Sequence, residues 1–256
     1  MTDRLTVLDE LTEAARKRAD DLRNQTDLDT LYAEAVRFEK RDFAAALAVA
    51  GLSVIAEIKR ASPSAGFIRE VDPAAWGARY EKEGAACLSV LTEPAWFKGT
   101  LEDLNAAREA TTLPVIRKDF TVDEIQVLEA ATRADAVLLI AALFDVTTLT
   151  RYVELAVEVG LTPLVEVHDE READMALEAG ARVIGVNNRN LKDFSVDLGT
   201  FARLATQLSE ATLVAESGVK SVEDASRLRD AGADAVLVGE AAMRDPVLVA
   251  EISALT

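Results

Sequence analysis

Short apolar runs alternate with longer amphipathic segments from about residue 50 onward. Each run is five or six residues long and rich in Val, Ile and Leu, as buried β-strands are. The eight runs cover residues 53–58, 87–91, 114–118, 136–140, 163–167, 183–187, 212–216 and 235–239. Intervening segments such as TLTRYVELAVEVG carry apolar residues at helical spacing, and several begin with Asp, Ser or Thr, which cap helices. The pattern therefore predicts strands alternating with helices.

Strict alternation with near-continuous apolar strands is typical of a parallel sheet covered by helices. Eight units in a chain of 256 residues favour closure into a (β/α)8 TIM barrel. An open doubly wound sheet is the alternative, but KRASPSAG after the first run lacks its Gly-rich phosphate loop. Residues 1–49 fall outside the alternation and are predicted as helices, at about 5–23 and between 28 and 49. We therefore expect one barrel domain over residues 1–256, with residues 1–49 as a helical N-terminal extension packed on it.

The composition restricts the partners and the compartment. A net charge of -17 argues against nucleic acid and anionic membranes, which bind basic surfaces. No apolar run approaches the roughly 18 residues of a membrane span, and the charged N-terminus lacks a signal-peptide core, so we expect a cytoplasmic protein. One Cys and one His exclude an intrachain disulfide and argue against a His/Cys metal site. The sequence is compatible with a monomer but does not decide the oligomeric state.

Charged and amide residues lie at the C-terminal ends of the predicted strands. Functional groups of a closed parallel barrel collect at this end, so we expect these side chains to face one cavity. Ile116 shares a face with Lys118, as an apolar residue beneath a polar one. A structural ion pair remains the alternative for any single member, but burying the whole set is costly unless its charges are paired. The six residues are Glu57, Lys59, Lys118, Glu166, Asn187 and Glu216.

Two further features extend this site. ESGV follows the seventh run and VGEAAM the eighth, where many barrels bind phosphate through loop N–H groups, so we expect a phosphorylated small-molecule substrate. His168, the only histidine, shares the face of Glu166 one step further out. We expect His168 to support the site or to be exposed, and not to transfer protons.

Several segments resemble one family closely. VIAEIKRASPSAGFI, LSVLTEPAWFKGTLEDL, PVIRKDF, LVEVHDE, GVNNRNL, VAESGV and VLVGEAAMR have the order and spacing of the indole-3-glycerol-phosphate synthase family of tryptophan biosynthesis. The resemblance covers essentially residues 50–245, and E-x-K-x-x-S-P after the first run is the family's signature. It implies a lyase that closes the ring of 1-(2-carboxyphenylamino)-1-deoxyribulose 5-phosphate, releasing CO2 and water to give indole-3-glycerol phosphate. It also implies that the enzyme uses no cofactor and no metal.

The resemblance assigns a role to each matching residue. Lys118 is expected to be the general acid of ring closure, and Glu166 the acid–base group of dehydration. Lys59 is expected either to contact the substrate carboxylate or to act as a second acid, and Glu57 to orient the lysines. Asn187 and Glu216 complete the catalytic set. The substrate-binding positions are Ser62, Pro63, Phe97, Phe120, Arg189, Ser217, Gly218, Gly239 and Glu240. Glu240 replaces a Ser found in some members, so a phosphate contact there is expected from its backbone N–H.

Three rival interpretations stay open. The chain could be another phosphosugar barrel enzyme, such as a phosphoribosylanthranilate isomerase. It could be an aldolase that forms a Schiff base with Lys118 or Lys59, which borohydride trapping of a lysine adduct would reveal. It could also be a non-catalytic protein that binds a phosphorylated ligand, which tight binding without turnover would indicate.

Overall fold

Eight parallel strands form a closed barrel in the computed structural model, which describes residues 6–190 and 194–255. The barrel strands, first to eighth, are Ser53–Ile58, Cys87–Leu91, Val115–Lys118, Ala136–Ile140, Thr162–Val167, Val183–Asn187, Thr212–Glu216 and Ala235–Val238. Each pairs with its neighbours along the chain, and the first pairs with the eighth. The predicted TIM barrel is therefore confirmed. The third strand begins one residue late because Pro114 has no N–H for the ladder.

Helices cover the outside of the barrel and its N-terminal end. They are α1 (Val7–Arg23), α2 (Leu28–Arg37), α3 (Phe43–Leu47), α4 (Pro73–Lys82), α5 (Leu101–Glu109), α6 (Glu124–Ala131), α7 (Val146–Glu158), α8 (Glu170–Glu178), α9 (Gly199–Ala205), α10 (Val222–Asp230), α11 (Glu240–Arg244) and α12 (Val247–Ser253). The first three form the predicted N-terminal extension, whose first five residues lie outside the described part. No helix among the described residues is long and apolar enough to cross a membrane.

Two apolar cores hold the barrel together, one between strands and helices and one inside the barrel. Phe43 and Leu47 of α3 close the N-terminal end of the inner core, and neither is exposed to solvent. Cys87 lies inside the barrel beside them, where burial raises the pKa of its thiol. Because apolar side chains fill the lower layers, the polar ends of the strands face the opposite opening.

A buried carboxylate connects the extension to the barrel. Asp135, in the phrase TRADAVLL, accepts backbone N–H groups of Arg41 and Val115, each at 2.8 Å. It also accepts two hydrogen bonds from the guanidinium of Arg108, at 2.9 and 3.2 Å. Asp234 holds the matching place in DAGADAVLV and accepts a strand N–H at 2.7 Å, but it lies at the surface.

Replacing Asp135 is expected to destabilise the fold. Asp135→Ala should lower the free energy of unfolding by about 3–5 kcal/mol, because it leaves a largely buried guanidinium without its partner. Asp234→Ala is the matched control. It should lower the free energy of unfolding much less, because water can reach the freed N–H. Urea unfolding followed by circular dichroism measures both, and equal losses would contradict the assignment.

Candidate active site

The C-terminal ends of the barrel strands open into a single cleft of about 1560 Å³. All fifteen residues selected from the sequence line it. They are Glu57, Lys59, Ser62, Pro63, Phe97, Lys118, Phe120, Glu166, Asn187, Arg189, Glu216, Ser217, Gly218, Gly239 and Glu240. The structure therefore brings the whole predicted set together, while the role of each residue stays a prediction.

Lys118 lies at the centre of the cleft between two carboxylates. Its Nζ is 2.9 Å from Oε2 of Glu166 and 2.7 Å from Oε2 of Glu216. The three residues lie at the C-terminal ends of the third, fifth and seventh barrel strands, and all three side chains are largely buried. Inward side chains of alternate strands share a layer in such barrels, which explains why residues so distant in sequence meet.

Charge interactions set the protonation of this trio. Burial alone would lower the pKa of Lys118, but the carboxylates of Glu166, Glu216 and Glu57 outweigh burial and raise it. Burial would raise the pKa of Glu166, yet Lys118 and His168 hold it well below its usual value. The pKa of Glu216 is raised to about 7 by burial and by the charge of Glu166, against the opposing charge of Lys118. The lysine and one carboxylate are therefore charged at neutral pH, and the second carboxylate can exchange a proton.

Glu57 and Lys59 are two residues apart at the end of the first strand, so they point to the same side, and they form a second ion pair. Nζ of Lys59 is 2.5 Å from Oε1 of Glu57, whose side chain is buried. Gly239, just past the eighth strand, leaves room for the pair. A Cβ at Gly239 would lie 2.3 Å from Oε1 of Glu57 and 2.6 Å from Nζ of Lys59. The pair therefore fills space that any larger residue at Gly239 would take.

Amide groups orient the remaining polar side chains. Nδ2 of Asn187 donates to Oε1 of Glu166 at 3.0 Å, and Oδ1 of Asn187 accepts the backbone N–H of Arg189 at 3.0 Å. The guanidinium of Arg189 donates to the carbonyl of Phe194 at 3.0 Å. The Asn187 side chain therefore links the carboxylate of Glu166 to the start of the following loop.

The loops after the seventh and eighth strands form the side of the cleft where phosphate was expected. Ser217 and Gly218 both have positive φ, 61° and 91°, which turns the chain sharply after Glu216. A Cβ on Gly218 would lie 2.7 Å from side-chain atoms of Leu198 and Val196. The carboxylate of Glu240 accepts a hydrogen bond from Arg244 at 2.9 Å.

No group of three or more His, Cys, Asp or Glu side chains is arranged to hold a metal ion within residues 6–190 and 194–255.

Known proteins identify the family. A family model described as indole-3-glycerol phosphate synthase matches residues 8–255. The chain belongs to the indole-3-glycerol phosphate synthase family. The indole-3-glycerol phosphate synthase of Streptomyces griseus is 47% identical over 248 residues, covering 94% of this chain and 92% of that protein. The one of Ruminiclostridium cellulolyticum is 44% identical over 255 residues, covering 97% and 98%. The family expected from the motifs is thereby confirmed.

A more distant similarity concerns the fold alone. The N-acetylmannosamine-6-phosphate 2-epimerase of Clostridium perfringens superposes with a TM-score of 0.61 at 18% sequence identity. The match covers 76% of this chain and 89% of that chain. At this level of identity it supports the barrel architecture and nothing further.

Part of the cleft wall comes from the N-terminal extension, which sequence reasoning did not place there. Val7, Leu8 and Leu11 of α1 line the cleft. Arg18 of the same helix donates to Asp119, just past the third strand, at 2.7 Å. The amphipathic pattern of α1 indicates a buried face, but it contains no signal for the end of the barrel that this face covers.

Asn188 is a further residue that the sequence-based selection missed. It is buried, and its Nδ2 donates to the carbonyls of Glu216 at 3.0 Å and Ser217 at 3.2 Å. Its Oδ1 accepts the N–H of Phe201 at 3.1 Å. Asn188 therefore fixes the backbone at the end of the seventh strand. The paired amides of GVNNRNL were the available signal, but only one Asn was selected.

Proposed function

We propose that this cleft closes the ring of 1-(2-carboxyphenylamino)-1-deoxyribulose 5-phosphate, releasing CO2 and water to give indole-3-glycerol phosphate. Family membership carries the identity of the reaction. The observation that supports this cleft as its site is the buried ammonium of Lys118, held at 2.9 and 2.7 Å between two carboxylates. Ring closure needs a cationic donor beside the ketone oxygen and a base for the later proton loss, and this trio contains both.

Lys118 serves the first step in this proposal. The ring carbon that bears the carboxylate attacks the ketone, and the ketone oxygen becomes an alkoxide. The flanking carboxylates keep the pKa of Lys118 raised, so it is charged at neutral pH. It can still donate a proton to the alkoxide, which is a far stronger base than an amine. CO2 then leaves, and the electron pair of the broken bond restores the aromatic ring.

Glu166 and Glu216 serve the proton transfers that follow. Dehydration removes the new hydroxyl as water, which takes a proton from Lys118, and it removes a proton from the ring system, which the ionised Glu166 takes as the base. Lys118 must therefore first regain the proton it gave to the alkoxide. Glu216, 2.7 Å from Nζ of Lys118 and with its pKa raised to about 7, can return it.

The remaining predicted residues bind and orient the substrate in this proposal. Phe97 and Phe120, whose ring centroids are 6.5 Å apart, border the aromatic ring. Lys59 meets the substrate carboxylate or acts as a second acid, and Glu57 keeps it in place. Backbone N–H groups after the seventh and eighth strands receive the phosphate. The side-chain carboxylate of Glu240 is turned toward Arg244 and plays no part.

We also propose that residues 1–256 act as one domain and as a cytoplasmic monomer. Two contacts support the single domain, the Arg18–Asp119 ion pair at 2.7 Å and the Arg41–Asp135 hydrogen bond at 2.8 Å, because both join the extension to the barrel. The fifteen predicted site residues of one chain line one cleft, so this site needs no residue from a partner subunit. Light scattering after size exclusion tests the oligomeric state.

One assay tests the reaction. Protein treated with EDTA is mixed with the carboxyphenylamino-deoxyribulose phosphate, and indole absorbance and fluorescence are followed over time. We expect a steady rise that is unaffected by the chelator. A flat trace from protein shown to be folded by circular dichroism would contradict the proposal. Borohydride added with substrate should trap no lysine adduct, since a trapped adduct would indicate an aldolase.

A further inference from the structure

His168 lies between two buried carboxylates, one of which, Glu166, lines the cleft. Its Nε2 is 3.4 Å from Oε1 of Glu166, and its Nδ1 is 3.0 Å from Oε2 of Glu172 on α8. The histidine side chain is 15% exposed, and those of Glu166 and Glu172 are 3% and 7% exposed. The same oxygen of Glu172 also accepts the backbone N–H of His168 at 2.9 Å.

The two contacts favour a positively charged ring. A carboxylate can only accept hydrogen bonds, while a neutral imidazole has a single N–H to donate. A neutral ring would therefore turn a lone pair toward one of two buried carboxylates. A ring protonated on both nitrogens donates to Glu172 and turns a positive N–H, not a lone pair, toward Glu166. Burial alone would lower the pKa of His168, but the carboxylates of Glu166 and Glu172 outweigh burial and raise this pKa to about 10.

The ring continues a row of alternating charges that begins in the centre of the barrel. The row runs from Glu216 to Lys118, to Glu166, to His168 and to Glu172, with contacts of 2.7, 2.9, 3.4 and 3.0 Å. Each carboxylate inside the row has a cation next to it. Glu166 lies between two cations of the row, Lys118 and His168.

Two other polar groups lie beside the carboxylates that contact His168, one at Glu166 and one at Glu172. Nδ2 of Asn187 donates to Oε1 of Glu166 at 3.0 Å, so this oxygen has a neutral donor as well as the ring. Arg171 of α8 approaches Oε1 of Glu172 at 3.9 Å, but its side chain is 69% exposed and its charge is screened by water. His168 is therefore the only positive neighbour that Oε1 of Glu166 has among the contacts of the described residues.

We propose that His168 is a positioning residue for the reaction, a fixed cation that keeps Glu166 ionised and aimed into the cleft. This proposal rests on the proposed role of Glu166 as the base. Glu172 in turn anchors the ring through Nδ1. His168 exchanges no proton with substrate in this arrangement, and its effect on turnover passes through Glu166.

The pH dependence of turnover distinguishes this role from simple packing. His168→Gln keeps an N–H donor but removes the charge, so the pKa of Glu166 should rise. The acid limb of kcat/KM against pH, which reports groups of the free enzyme, should then move about one unit to higher pH. KM on the alkaline side of that limb should change little. Arg171→Gln is the matched control, because it removes a unit charge beside Glu172 without touching Glu166, and its limb should stay in place.

A direct measurement on the ring needs no variant and no substrate. Protein labelled with nitrogen-15 histidine gives the signal of a single imidazole, since His168 is the only histidine. We expect both ring nitrogens to stay protonated from about pH 6 to about pH 8, where an ordinary histidine loses its charge. In Glu172→Gln the midpoint of the ring titration should move to lower pH.

The outcomes separate this inference from the proposed function. A ring that titrates near its usual pKa of about 6.5, or an acid limb that moves equally in His168→Gln and Arg171→Gln, would overturn the inference. If the unaltered protein shows no turnover of the carboxyphenylamino substrate, the proposed function fails. The ring titration still decides the charge of His168 in that case.

Discussion

Lys118→Met is expected to lower kcat by at least about 100-fold, the lower range for a general acid–base group. Met has a similar length but no charge and no proton to donate, so the alkoxide of ring closure loses its cationic partner. KM should change much less than kcat, because the predicted phosphate and ring contacts come from other residues. Steady-state kinetics by indole fluorescence measures both constants.

The fold should survive this substitution, because the two freed carboxylates can share a proton. Their pKa values then lie above those in the unfolded chain, and the folded state binds more protons. The free energy of unfolding of Lys118→Met should therefore fall as the pH rises through the pKa values of these two carboxylates. The fall should be steeper than that of the unaltered protein. Lys82→Met, on the exposed surface of α4, is the matched control and should leave kcat unchanged. A loss of only a few-fold in Lys118→Met would contradict its role as the principal acid.

Gly185→Ala is expected to lower kcat by about 100-fold although it adds a single methyl group. Gly185 lies in the sixth strand, and a Cβ there would be 2.0 Å from Oε1 of Glu216. Ordinary contacts begin near 3.4 Å, so the carboxylate must move by more than 1 Å. A displacement of about 1 Å in a catalytic group can cost about 100-fold in rate. The same fluorescence assay measures the loss.

A double-mutant cycle tests the cause of that loss. Gly185→Ala should lower the free energy of unfolding in the unaltered protein, because Glu216 is buried and has little room to retreat. In a Glu216→Ala background the same change should cost almost nothing, since the space is then empty. If the cost is the same in both backgrounds, the strain lies in the strand backbone and the explanation through Glu216 is wrong.

The amino-acid pattern was sufficient for the barrel and for the membership of the site. Strand positions followed from apolar runs, because a parallel strand that is buried on both faces consists of consecutive apolar residues. Lys118, Glu166 and Glu216 were found because each is a polar residue at the C-terminal end of an otherwise apolar run. Glu57, Lys59 and Asn187 were found in the same way. The motifs shared with the family added the nine substrate-binding positions, and all fifteen residues line the cleft.

The sequence did not predict which of these residues pair with each other. Glu57 joins Lys59, its near neighbour in the chain, whereas Lys118 joins Glu166 and Glu216, 48 and 98 residues away. Strand order and barrel register decide these partners. They also decide that Gly185 and Gly239 must lack a side chain, because each faces a carboxylate from another strand.

The same distinction applies to α1 and His168. Hydrophobic spacing shows that a helix has a buried face, and a strand-end position shows that a side chain points toward the mouth. Neither pattern identifies the groups that the helix face or the side chain contacts. The local chain determined the elements and the kinds of residue at the cleft, because periodicity and end signals act over a few residues. Their partners, spacing and charge states depend on contacts between distant segments, and those exist only once the barrel has closed.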